Sequence, residues 1–103
     1  MEKILVDLKK CVQDIAGDRL IKMVLYGSRA RGDYGADSDM DIAIIVRSLS
    51  PEFKRRILSQ VADLEFEYLR SLSILILSEE DFLLLKKRER RIALDIDREG
   101  IPL

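Results

Sequence analysis

Apolar residues in this chain fall into three short continuous runs, separated by longer stretches with helical spacing. In residues 2–16, Ile4, Leu5, Leu8, Cys11, Val12 and Ile15 recur three and four apart, which puts them on one side of a helix, and Gly17 is a fitting stop. Leu20 to Tyr26 is apolar apart from Lys22 and, at its start, near-continuous, the pattern of a strand covered on at least one face. A second strand runs from about Met40 to Val46. The period of two puts Asp39, Asp41, Ala43 and Ile45 on one face and Met40, Ile42, Ile44 and Val46 on the other. Ser50-Pro51-Glu52 has the cap, the first-turn proline and the acid of a helix start, and this helix is expected to reach about Leu69 with Ile57, Val61, Leu64 and Tyr68 as its stripe. Leu72 to Leu77 is a third strand. Ser78-Glu79-Glu80-Asp81 then opens another helix, with its acids matching the dipole. Phe82 to Leu85 is an apolar cluster that either packs on the core or forms a patch for a partner. A last helix is expected over about Arg88 to Glu99, carrying Ile92, Ala93 and Ile96; Gly100 ends it and Pro102 prevents its resumption. The expectation is an α/β (α+β) domain: a small mixed sheet with helices mainly on one face.

With 103 residues the chain is one domain, 1–103. A domain of this size buries roughly 60–65% of its unfolded surface, so the core is modest. Charged residues make up 36%, which fits a large surface-to-core ratio or an origin in a hot environment. The net charge of −1 speaks against strong nonspecific nucleic-acid binding but leaves room for a nucleotide in a local site. The single cysteine, Cys11, sits at an apolar helical position and reads as a core residue; without disulfides the expected location is the cytoplasm. No signal peptide is visible, and no apolar run approaches ~20 residues, so no membrane helix is expected. There is no histidine, which removes the commonest general base and the usual zinc ligand.

The chemistry concentrates in residues 24–46, VLYGSRARGDYGADSDMDIAIIV, where two apolar runs flank a loop of Gly, Ser, Arg and Asp. Asp39 and Asp41 share a strand face, and two neighbouring carboxylates are costly unless a cation lies between them. Mg²⁺ suits such a pair because it takes hard oxygen ligands and keeps positions for substrate phosphates. Gly27-Ser28 allows close backbone approach to a phosphate, and the following turn offers amide N–H groups. Arg29 and Arg31 read either as phosphate clamps or as solvated loop charges. Competing motifs fail. Gly27 to Gly32 has P-loop spacing, but Asp33 follows where Lys and Ser or Thr are needed. Asp37, Asp39 and Asp41 begin like a calcium-binding EF-hand loop, but Ile42 replaces its glycine and Ser48 its bidentate glutamate.

Gly27, Ser28, Asp39 and Asp41 resemble the GS-x10-DxD signature of the DNA polymerase beta-like nucleotidyltransferases, most closely the minimal nucleotidyltransferase (MNT) family. Arg29, Arg31, Gly32, Ser38 and the run Ile42–Val46 fit the usual surroundings, and the ending REGIPL is similar to one common in that family. The resemblance implies a nucleotidyltransferase fold and transfer of a nucleoside monophosphate, AMP from ATP, to a protein acceptor. It implies Asp39 and Asp41 as catalytic Mg²⁺ ligands, with Gly27, Ser28, Arg29, Arg31 and Ser38 as nucleotide-binding residues. It also implies a partner, a HEPN-domain toxin for which this chain is the antitoxin, and is compatible with a homo-oligomer. The pattern departs at Ser73, which stands where the family carries a third acid on the strand after the long helix. A hydroxyl replaces a carboxylate neither as metal bridge nor as base. The alternative is therefore a catalytically weak or inactive nucleotide-binding module that neutralises its partner by binding.

Overall fold

A computed structural model describes residues 2–27, 30, 32 and 39–103 of the chain. Helix α1 (Lys3–Ala16) leads through a single turn of 3₁₀ helix (Gly17–Arg19) into strand β1 (Leu20–Tyr26). Strand β2 (Met40–Val46), helix α2 (Pro51–Tyr68) and strand β3 (Leu72–Ser78) follow. Helices α3 (Glu79–Lys87) and α4 (Arg91–Glu99) and a two-residue strand β4 (Ile101–Pro102) complete the described elements. The sheet order is β3-β2-β1-β4. β1 is antiparallel to both β2 and β4, and β2 is parallel to β3, so α2 is the crossover that a parallel pair requires. The sheet is mixed, as the sequence pattern predicts.

The period-two split of β2 is realised side chain by side chain. Met40, Ile42, Ile44 and Val46 pack with Leu8, Val12, Ile57 and Val61 of α1 and α2, the two long helices. Ala43 and Ile45 join Val24 and, from α3 and α4, Phe82, Ala93 and Ile96. The heavier helical layer thus lies on one face, and a lighter layer of two nine-residue helices covers part of the other.

Local signals account for most boundaries. Gly17 closes α1 with φ +56, donating its N–H to the Gln13 carbonyl. Ser50 and Ser78 cap α2 and α3: the Phe53 and Asp81 amides each donate to the serine Oγ at 3.1 Å. Two expectations need correction. The last helix begins at Arg91, not Arg88, because Glu89 takes a left-handed φ of +55 and the Arg90 N–H turns back to the Leu85 carbonyl. Within α2, Glu65 accepts the Leu72 N–H on its Oε2 at 2.9 Å and fixes the entry of β3. Cys11 is half-buried at the core's edge rather than within it, and its thiol is pushed up by burial first, then by Asp14, Asp7, Asp63 and Glu67. The Phe82–Leu85 cluster divides: Phe82 is buried, whereas Leu83 and Leu84 are exposed.

Polar contacts join the layers at the surface. Tyr68 at the end of α2 donates its hydroxyl to Asp7 of α1, and Arg70 pairs with Glu2 at 3.1 Å. On the other face Asp97 of α4 lies 3.2 Å from Lys86 of α3 and 4.0 Å from Lys22 of β1. Both ammonium groups also sit over the Phe82 ring. Each exposed ion pair is worth at most about 1 kcal/mol, so these contacts set geometry more than stability. No helix among the described residues is long and apolar enough to cross a membrane.

Candidate active site

The strand register brings the chemistry to one end of the sheet. Asp41 stands opposite Tyr26 on β1 and opposite Ser73 on β3. Its face is that of Ala43 and Ile45, toward the lighter helical layer. Asp39, just ahead of β2, is exposed, and Asp41 is half-buried. Same-face strand neighbours lie about 6–7 Å apart at Cα, within reach of a shared cation.

Gly27, the first residue after β1, is where the turn meets the acid. Its φ is +73, and a Cβ built there would stand 2.5 Å from Asp41 Oδ2 and 3.3 Å from its Cγ. Only glycine combines that backbone conformation with so close an approach. The turn and the second aspartate thus meet across the strand end. Ser28, Arg29, Arg31 and Ser38 lie outside the described residues.

Tyr26 and Asp95 are neighbours of the site that the sequence pattern does not single out. The Tyr26 phenol is pushed above its usual range by burial, then by the carboxylates of Asp41 and, on α4, Asp95. Negative charge thus gathers where the sheet opens, and a cation would relieve it. The described residues contain no cluster of three or more His, Cys, Asp or Glu able to cage a metal. An exposed and a half-buried carboxylate suit Mg²⁺ instead, which binds through one or two carboxylates and completes its shell with water and substrate phosphates. Ser73 is exposed, on the same face as Asp41, so an acid at that register position would have joined the pair.

A family model described as Polymerase beta, Nucleotidyltransferase matches residues 8–103. The chain belongs to this nucleotidyltransferase family. Among curated proteins it is 39% identical over 54 residues to a candidate protein adenylyltransferase of Methanocaldococcus jannaschii. That match covers 52% of this chain and 54% of the relative, about half the relative's length. Solved structures share the nucleotidyltransferase fold at low identity. A toxin–antitoxin crystal structure with AMP-PNP has a TM-score of 0.57 at 15% identity, over 93% of this chain and 69% of that one. A mutant of the toxin–antitoxin MntA–HpeT has a TM-score of 0.57 at 12% identity, over 98% and 72%. A candidate nucleotidyltransferase of Sulfolobus solfataricus has a TM-score of 0.51 at 20% identity, over 99% and 87%.

Proposed function

We propose that this protein is a Mg²⁺-dependent nucleotidyltransferase that moves AMP from ATP to a side chain of a protein acceptor, and that the acceptor is a HEPN-domain toxin it restrains. The observation that carries this reading is the close approach of the Gly27 backbone to the Asp41 carboxylate, in a chain whose family match is a nucleotidyltransferase model. Asp39 and Asp41 would hold the metal, which when bound neutralises the triphosphate and makes pyrophosphate a better leaving group. Gly27 lets the turn approach the Asp41 carboxylate closely, and Ser28, Arg29, Arg31 and Ser38 would bind the triphosphate. Transfer then depends chiefly on positioning and charge compensation. The likeness to toxin–antitoxin structures and to a candidate protein adenylyltransferase supports a protein acceptor of that kind.

The test is incubation with α-labelled ATP, Mg²⁺ and the protein encoded by the neighbouring reading frame. Label should appear on the neighbour, and should be lost with EDTA and with Asp39→Asn plus Asp41→Asn. An unlabelled neighbour under all conditions refutes the transfer.

A second reading rests on Ser73. An exposed serine at the register position beside Asp41 leaves no third carboxylate on the strands to draw a proton from an acceptor hydroxyl. On that reading the protein binds nucleotide and neutralises its partner by contact. Cells protected equally well by the double-aspartate variant would select it over transfer.

A further inference from the structure

The two edges of the sheet are finished differently. β4 closes one edge with two residues, and one of them, Pro102, has no N–H to offer. β3 is the other edge, with no strand beyond it among the described residues. Its seven residues, LSILILS, carry no charge and no proline. Its register on β2 runs unbroken from Leu72 to Ser78, so no bulge twists it away. An edge of this kind is a template for another strand unless something blunts it.

The open part of this edge is short and symmetric. Leu72 donates its N–H to Glu65 of α2 rather than to β2, so its backbone faces outward. Backbone direction alternates along a strand, so Ile74 and Ile76 also face outward while Ser73, Leu75 and Leu77 face β2. At the far end Ser78 passes directly into α3 and caps it. What remains for a neighbour centres on Ile74 and Ile76, one on each side of Leu75. The flanks carry opposite charge: Arg70 precedes the strand, and Glu79, Glu80 and Asp81 follow it. A parallel copy would set like flanks together, whereas an antiparallel copy sets each against its opposite.

We infer that β3 pairs antiparallel with β3 of a second copy of this chain, about a two-fold axis at Leu75, joining the two four-stranded sheets into one. Ile74 then exchanges both backbone hydrogen bonds with Ile76 of the second copy, and the pair recurs by symmetry. Leu75, half-buried on the side of the lighter helical layer, meets Leu75 of the second copy as a close non-hydrogen-bonded pair. Arg70, which holds Glu2 with one nitrogen, turns its remaining donors toward Glu80 of the second copy. A second copy suits this edge better than a foreign strand because the assembly closes. Both β3 edges are used up, and the edges that remain are two copies of the short, proline-bearing β4. A foreign strand would present a new edge of its own. Leu77 of the second copy comes beside Ser73, so the dimer borders the candidate site without adding an acid to it. The pairing is independent of the transfer proposed above.

Sedimentation equilibrium of the full chain over a concentration series tests this, with a monomer–dimer equilibrium expected. Leu75→Lys and Leu75→Glu should each raise the dissociation constant about tenfold or more, because residue 75 faces itself across the axis. A one-to-one mixture of the two variants should pair more tightly than either alone. Ile74→Pro, which removes an outward N–H that β2 does not use, should weaken association with the circular dichroism of the fold retained. If the charged variants do not fold, this variant decides. A parent chain that stays monomeric throughout, a folded Leu75→Lys or Ile74→Pro variant that pairs as tightly as the parent, or a mixture no tighter than its components would overturn the inference. A strand of a different protein on this edge would produce the first of these results.

Discussion

The two faces of the sheet do different work. Among the described residues, one face together with α1 and α2 buries sixteen apolar side chains; the other together with α3 and α4 buries six. The thick layer runs the length of the strands, from Leu8 and Val12 to Ile57 and Leu64. The thin layer has its buried side chains at Phe82, Ala93 and Ile96, and Asp41, Tyr26 and Ser73 stand at the sheet end on its side. A small domain cannot cover both faces fully and still present polar groups. Here burial is concentrated on one face, and the other keeps a strand end where Asp39 is exposed and Asp41 half-buried.

That division can be broken from either side. The largest effect should come from the open end: Asp39→Asn with Asp41→Asn should lower AMP transfer by about a thousandfold or more, the scale of removing the groups that position a catalytic charge. Circular dichroism should show the fold and Tm retained, since no core contact is lost. Next is the thick layer. Ile57 is fully buried, and Ile57→Ala should cost about 2–5 kcal/mol in urea unfolding while transfer per folded molecule is preserved. The thin layer should answer to Gly100→Ala, because a Cβ there would stand 2.1 Å from Val24 Cγ1 and 2.4 Å from the Ile96 carbonyl oxygen. A loss of about 1–3 kcal/mol is expected, with transfer also reduced because β1 and α4 shift beside Tyr26.

The smallest effect separates the layers by pH. Tyr68 is pushed up to about 12 from 10.0, chiefly by its hydrogen bond to Asp7 between α1 and α2. The folded state therefore holds this proton more tightly than the unfolded chain. The contribution is complete below pH 10 and fades as pH rises toward 12. Unfolding midpoints measured across that range should fall, and Tyr68→Phe should flatten the part due to this group.

The sequence pattern reveals the fold wherever a local rule and a burial rule agree. β1 and β2 lie within runs that are apolar apart from Lys22 and Asp41, and end where that pattern stops. Ser50 and Ser78 announce their helices because a hydroxyl cap is read from two or three residues. Gly27 and Asp41 are legible as a pair because spacing and residue type both point to them. The rest depends on partners distant in sequence. Glu65 looks like any helical acid until β3 brings the Leu72 amide to it. Lys86 to Arg91 are all good helix formers, and only packing bends the chain at Glu89. Tyr26 and Asp95 become neighbours through the docking of α4, which no local spacing encodes. Phe66 and Leu69 pass as apolar helix positions until the inner stripe is known and leaves them exposed.

Strand β4 is only two residues long, yet it lies along the edge of β1 that β2 does not occupy, with Ile101 opposite Leu25 and Pro102 opposite Val24. The strand that delivers Gly27 therefore lacks its second neighbour until residues 101–102 have left the ribosome. Until then its edge is a free template for another extended segment. Nascent chains stalled before that point should be recognised by chaperones, and the strand that carries Gly27 gains its second neighbour only some 75 residues after Gly27 itself is made.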